Sequence, residues 1–198
     1  MTLSSPDMGS SDLTQQKQAL RDRLRFRRRH FVAGLDGIAR LAAFRALPDP
    51  VATLVKAHGV IGLYAPWQHE PDILPMFTGL TTTLPYHEAR DEHMGFRLWK
   101  PGDPLAPGPW HTPQPAENAP SAQPGLIFCP LLGFDRHGGR LGQGGGHYDR
   151  YFAAHPDALR VGIAWAVQEV DSVPREATDM ALDAILTEQE FIVMGDRI

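Results

Sequence analysis

The chain has 198 residues, 42% of them hydrophobic and 21% charged, enough to bury a core within one domain and too balanced for a disordered or membrane class. Its one cysteine, Cys129, excludes an internal disulfide and reads as a small core residue, and the uncharged run Gly125–Phe134 is far too short to span a bilayer. Net charge is −4 but unevenly placed: between Leu13 and His30 seven cations stand against Asp22 alone, a +6 element on a body carrying −10. Such an element serves a local anion site or a nucleic-acid arm.

The opening MTLSSPDMGSSD has no apolar h-region. It reads as a disordered leader over residues 1–12, ahead of one domain over 13–198. Leu13–Arg29 is the first predicted helix, because Leu13, Leu20 and Leu24, with Phe31 beyond, share one stripe at helical spacing. Lys17 and Arg21 are four apart and stack beside that stripe. Helices are predicted again over Gly37–Ala46, ended by Pro48 and Pro50, and over Val51–His58. Val60–Tyr64 reads as a buried strand closed by Pro66, Glu70–Leu80 as a helix, and Thr81–Tyr86 and Met94–Lys100 as strands.

Pro101–Pro124 holds eight prolines in 24 residues and reads as a loop, since a third of it lacks a backbone donor. Strand Gly125–Pro130, a glycine loop, helix Tyr148–His155 and strands Arg160–Ala166 and Ala184–Leu186 complete the chain. Helices alternating with short buried strands imply an α/β fold with a largely parallel sheet.

The densest signal is residues 138–150, GGRLGQGGGHYDR, with six glycines in the first nine positions. Glycine permits positive φ and close backbone approach, so successive N–H groups can cup an anion, and a helix opening at Tyr148 favours phosphate at its start. Arg140 and Arg150 bracket the loop with fixed charge, and Asp149 is a metal candidate. The Gly-Lys-Ser/Thr ending of a P-loop is absent, and His147 stands where a Rossmann GxGxxG requires glycine.

Other candidates stand in the open. Lys17 and Arg21 are either a phosphate-binding pair or a solvated helix face. Glu70 follows a strand, where α/β folds bind ligands, or is a helix N-terminal acid favoured by the dipole. Met94, Trp99 and Trp110 form either core or a wall for a flat heterocycle. Asp149 and Asp179 suit Mg²⁺ if the fold joins them. The histidines at 30, 58, 69, 87, 93, 111, 137 and 155 have no metal-ligand spacing and read as scattered surface residues.

Gly133-Phe134-Asp135 together with Gly138–Asp149 resembles the signature of the 5-formyltetrahydrofolate cyclo-ligase (methenyltetrahydrofolate synthetase) family, with His147 in place of the signature's first tyrosine. The resemblance implies a three-layer α/β/α sandwich, Rossmann-like, and ATP- and Mg²⁺-dependent conversion of 5-formyltetrahydrofolate to 5,10-methenyltetrahydrofolate. It implies that Lys17 and Arg21 contact the ATP phosphates beside Arg140, Leu141, Gly142, Gln143, Gly144, Gly145, Gly146, His147 and Tyr148, with Lys17 and Arg140 catalytic. Glu70 would hold the pterin, with Met94, Trp110, His147 and Tyr148 around the substrate, and Asp149 and Asp179 would bind magnesium.

Trp110–Pro115 resembles the family's Pro-x-Pro segment, with Gln114 where many members have glutamate, and Thr178 replaces a histidine often found before the second aspartate. Arg25, Arg28 and Arg29 have no family match and read as surface. The expected partner is a reduced folate, with or without a polyglutamate tail, and no nucleic acid or membrane. The expected setting is a cytoplasmic monomer or weak dimer. The alternatives are a catalytically weak paralogue that binds folate or nucleotide, and an RNA-binding protein that uses the basic helix.

Overall fold

The computed structural model describes residues 8–90 and 93–198. Helix α1 runs over Met8–Gly34, so positions 8–12 of the expected leader are helical and its earlier positions lie outside the described residues. Helix α2 (Gly37–Ala42) is capped by Asp36, whose carboxylate accepts the Ala39 amide at 2.6 Å. It stops short of the expected Ala46 because Ala43 is extended and Phe44 turns into the left-handed region at φ 54°, burying its ring. Helix α3 (Asp49–Ala57) starts on Pro48 and Pro50, whose fixed φ suits a first turn.

Strand β1 (Ile61–Gly62) follows, then a single 3-10 turn at Leu74–Phe77, β2 (Thr82–Tyr86) and β3 (Gly95–Trp99). The helix expected over Glu70–Leu80 does not form. Pro71 and Pro75 interrupt it, the Pro71 carbonyl accepts the Tyr64 hydroxyl at 2.6 Å, and the Asp72 side chain takes the Leu74 amide at 3.2 Å.

The proline-rich stretch is likewise not all loop. Strands β4 (Leu105–Pro107) and β5 (Pro113–Pro115) form an antiparallel ribbon in which Ala106 faces Gln114. Residues facing each other in such a ribbon alternate between bonded and unbonded pairs. Prolines at 107, 113 and 115 therefore cost nothing when Ala106 and Gln114 are the bonded pair.

Strand β6 (Leu126–Pro130) leads into the hairpin β7 (Gly133–Phe134) and β8 (Arg140–Leu141), then α4 (His147–Ala154), β9 (Leu159–Ile163), a 3-10 turn at Ala166–Gln168, β10 (Ala184–Leu186) and β11 (Phe191–Val193). The small β7–β8 hairpin and β11 were not foreseen.

Seven strands form one sheet in the order β11-β10-β9-β6-β1-β2-β3, parallel inside and antiparallel at both edges. The five parallel strands, numbered among themselves, run 2-1-3-4-5, the second of the two common doubly wound orders. Central β6 is buried on both faces, as an unbroken apolar run requires. Leu126 and Phe128 face a core shared with α1, α3 and Phe77, while Ile127 and Cys129 face a second core with Phe96, Phe152 and Ile185 on the α4 side. The arrangement is the three-layer α/β sandwich expected, and Cys129 is a core residue whose thiol burial pushes up to about 11.

Candidate functional site

The chain leaves β1 for β2 in one direction and β6 for β9 in the other, so the β1–β6 pair is where strand order reverses. Ligands in open parallel sheets bind in the crevice beyond the strand C-termini at that reversal. Here the segments after β1 and after β6 diverge around a cleft of about 1120 Å³. Lys17, Arg21, Glu70, Met94, Trp110, every residue from Arg140 to Asp149, and Asp179 line it. Trp99 does not: its ring is buried in the core and its indole N–H reaches the Asp103 carbonyl at 3.2 Å.

The glycine loop rests on Asp135. Its carboxylate accepts the amides of His137 at 2.8 Å, Gly139 at 2.9 Å and Val173 at 2.8 Å. Burial would raise this acid, but the three amides outweigh it and hold it below the ordinary range. Gly139 is obligatory, since a Cβ there would sit 2.3 Å from Asp135 Oδ2. At the far end Gly146 takes φ 63° as the N-cap of α4. The first amides of α4 have no carbonyl within the helix to meet, and the residues that carry them line the cleft. Helix α1 grips the loop from outside: Arg21 Nε donates to the Gly142 carbonyl at 3.1 Å, and Arg25 donates twice to Gln143 Oε1, at 3.3 and 3.1 Å. Arg25 is therefore part of the site, not surface as expected, whereas Arg29 is exposed.

Cations and carboxylates alternate along the next wall. Lys17 Nζ donates to Asp179 Oδ2 at 2.5 Å and lies 3.2 Å from Glu176. Arg140 Nη2 donates to Asp149 Oδ2 at 2.7 Å, and Asp149 Oδ1 accepts the Met180 amide at 3.1 Å. That last bond brings Asp149 beside Asp179, thirty positions away in sequence. Among the described residues no group of three or more His, Cys, Asp or Glu is arranged as a metal cage. Two hard carboxylates at the rim of an anion loop do fit Mg²⁺, which takes its remaining oxygens from phosphate and water.

The opposite wall is three rings. His87, Trp110 and His147 lie with centroids 4.7 Å apart in all three pairings, beside buried Met94. His87, expected on the surface, is buried. Gln114 holds it there, its Oε1 accepting the His87 amide at 3.2 Å and its Nε2 donating to the His87 carbonyl at 3.1 Å. Arg150 Nη2 donates to His147 Nδ1 at 3.1 Å, leaving Nε2 to carry the proton. Burial first, and Arg150 second, hold His147 below the ordinary histidine range. Burial likewise pushes the Tyr148 phenol well up, under the Arg140 guanidinium 5.7 Å from its ring.

Glu70 closes the deep end. Its Oε2 accepts the Trp67 amide at 3.0 Å, the Gln143 side chain comes near it from the glycine loop, and Arg28 Nη1 lies 3.8 Å from Oε1. Arg28 is 2% exposed, which overturns its reading as surface. The signal was in the stripe: Arg28 lies four residues after Leu24 and three before Phe31, so a helix that turns both toward the core must turn Arg28 inward.

Comparison with known proteins gives one consistent result. The model of the 5-formyltetrahydrofolate cyclo-ligase family matches residues 13–188. A Haemophilus influenzae protein named 5-formyltetrahydrofolate cyclo-ligase is 31% identical over 106 residues, covering 50% of this chain and 57% of that protein. One from Escherichia coli K12 is 41% identical over 64 residues, 31% of this chain and 35% of its own length. The aligned parts thus span little more than half, or less, of these relatives. The NMR structure of Aquifex aeolicus 5,10-methenyltetrahydrofolate synthetase superposes with a TM-score of 0.69 at 25% identity, covering 91% of this chain and 93% of that one.

Proposed function

Because the chain belongs to the 5-formyltetrahydrofolate cyclo-ligase family, we propose that it converts 5-formyltetrahydrofolate to 5,10-methenyltetrahydrofolate, with ATP going to ADP and phosphate. The observation that carries this reading is the convergence of α1 cations, glycine loop, ring wall and Glu70 on one cleft.

The γ-phosphoryl group passes to the formyl oxygen, nitrogen 10 of the same folate attacks the activated carbon, phosphate leaves and the ring closes. Both reacting ends belong to one molecule, so the protein's work is orientation and charge neutralisation. Lys17, Arg21 and Arg140 meet the phosphates, and the loop amides take equatorial oxygens. Mg²⁺, held by Asp149 and Asp179, would offset charge on the transferring phosphoryl. Glu70 accepts two hydrogen bonds from the pterin ring N–H and its exocyclic amine. His87, Trp110 and His147 stack against the ring and keep water from the activated carbon.

The substrate in this reading is a reduced folate with or without a polyglutamate tail, and the enzyme a cytoplasmic monomer or weak dimer. Among the described residues no helix is long and apolar enough to cross a membrane. The RNA-arm alternative has less support than the folate reading. Lys17, Arg21, Arg25 and Arg28 face the protein's own groups, and Arg27 donates to the Val167 and Glu169 carbonyls at 2.9 and 3.1 Å.

The test is direct: mix the protein, Mg·ATP and 5-formyltetrahydrofolate and follow the methenyl absorbance. Growth that requires all three supports the reading. No growth, with folate still bound, would leave the weak paralogue.

A further inference from the structure

Glu70 is an acid without a solid backing. It borders the large cleft on one side and, on the other, a second cavity of about 360 Å³ walled by Phe44, Trp165 and Pro75, with Arg40, Arg45 and Asp72 around it. Packing alone does not hold a side chain set between two cavities. Its polar partners do: the Trp67 amide, the Gln143 side chain and Arg28.

Arg28 is the unusual member. Its Nη1 approaches Glu70 Oε1 to 3.8 Å, inside ion-pair range and outside hydrogen-bond range. Its Nε and Nη1 are buried and have no hydrogen-bond acceptor among the described residues. A buried guanidinium normally uses its fork on a carboxylate; this one supplies charge and withholds the bond.

We propose that Arg28 is a positioning residue for the pterin site, a non-bonding counter-charge that keeps Glu70 ionised while leaving its oxygens free for the ligand. The proposal rests on the folate reading above. A carboxylate has about four acceptor positions. The Trp67 amide uses one, and a ring N–H with an adjacent amine needs two. A bidentate Arg28 would fill those instead.

The remaining groups do not substitute for it. Burial outweighs the Trp67 amide, Arg28 and Gln143 and leaves Glu70 above the ordinary carboxylate range, so each opposing group limits how far it rises. Of the other charged or titratable groups around it, Arg25 is occupied with Gln143, Tyr64 and Tyr148 are neutral phenols that burial pushes far up, Asp72 is a like charge, and Arg40 and Arg45 are exposed.

The experiment titrates 5-formyltetrahydrofolate into native protein, Arg28→Met, Arg28→Lys, Glu70→Gln and the Arg28→Met/Glu70→Gln double variant across the neutral range, with ATP affinity measured beside it. Arg28→Met should weaken folate binding by up to about tenfold at pH below the Glu70 midpoint and little well above it, the consequence of one pKa unit of lost charge stabilisation. The loss should grow as pH falls, because Glu70 then protonates earlier. Lysine should restore most of it, ATP affinity should hold, and Arg28→Met should cost nothing further in the Glu70→Gln background. A penalty that is flat with pH, equal for ATP, or undiminished in that background would overturn the assignment. If the native protein takes no folate, the family-based reading fails separately. The counter-charge is then decided by ¹³C titration of the Glu70 carboxyl, which must move up in Arg28→Met and overturns the proposal if it does not.

Discussion

Arg150 donates a hydrogen bond to Nδ1 of His147 from three residues along the same helix, at 3.1 Å. A guanidinium cannot share a protonated imidazole nitrogen, so this bond exists only with the neutral ring. The histidine standing where the family signature has tyrosine is thereby kept uncharged and fixed in one tautomer, close to what a tyrosine ring offers.

The pH consequence follows from the direction of the shift. His147 titrates below its ordinary 6.5 in the folded protein, so the unfolded chain binds the proton first as pH falls. The stability this group contributes is complete above about 6.5 and is lost as pH drops toward the lowered folded value. Arg150→Met removes both the donor and the nearby charge. NMR titration of the His147 ring should then move upward, and an unchanged midpoint would show that Arg150 plays no part. His147→Tyr should leave ATP-dependent methenyl formation intact; activity present only in the tyrosine variant would mean the histidine had disabled the native chain.

Asp149→Asn keeps an oxygen for the Met180 amide while removing the charge. Cyclisation should fall on the order of 10²–10³, the scale of losing a preorganised electrostatic group, and the Mg²⁺ concentration needed for half-maximal rate should rise. The variant should also melt earlier, because Arg140, with its side chain 4% exposed, loses its carboxylate partner. Full turnover at ordinary Mg²⁺ would remove Asp149 from the reaction.

The α1 cations separate by position. Lys17→Met and Arg21→Met should each raise the KM for ATP, while Arg29→Ala, on the exposed face, should change nothing. Identical behaviour of all three would make the basic helix a charged surface and no more.

The amide of Gln114 makes a pair of bonds that a carboxylate could not. Both ends of its amide are used on His87, and a carboxylate cannot donate to the His87 carbonyl. Gln114→Glu should cost about 1–3 kcal/mol, the scale of a buried acceptor left unpaired, and raise the KM for folate but not for ATP. Thermal melts and substrate-varied kinetics check both halves; a coupled rise in both KM values would point to a general loosening instead.

What could be read from residues alone was set by the range of the forces involved. The apolar run Leu126–Phe128, the glycines and the leucine stripe of α1 are local patterns, and strand, loop and helix appeared where they predicted. The segment after Glu70 was misread because its apolar spacing is helical while Pro71 and Pro75 withhold donors, and backbone chemistry prevailed over periodicity. His87 and Gln114 were invisible for a different reason: their pairing joins residues 27 apart across a ribbon hidden in proline-rich sequence. Arg28 was legible in the helical phase of the leucine stripe, although nothing in the family motif matches it.

The ion pair between Lys17 and Asp179 joins positions 162 apart. It closes nearly the whole polypeptide into one circuit, with the first helix as its clasp. A ligand seated across that clasp touches both extremities at once, so its binding energy adds to the cohesion of everything between. Nucleotide should therefore raise the global melting temperature as one cooperative transition in proportion to occupancy. A proteolytic fragment without the first helix should gain no such protection, however well the rest of the sheet survives.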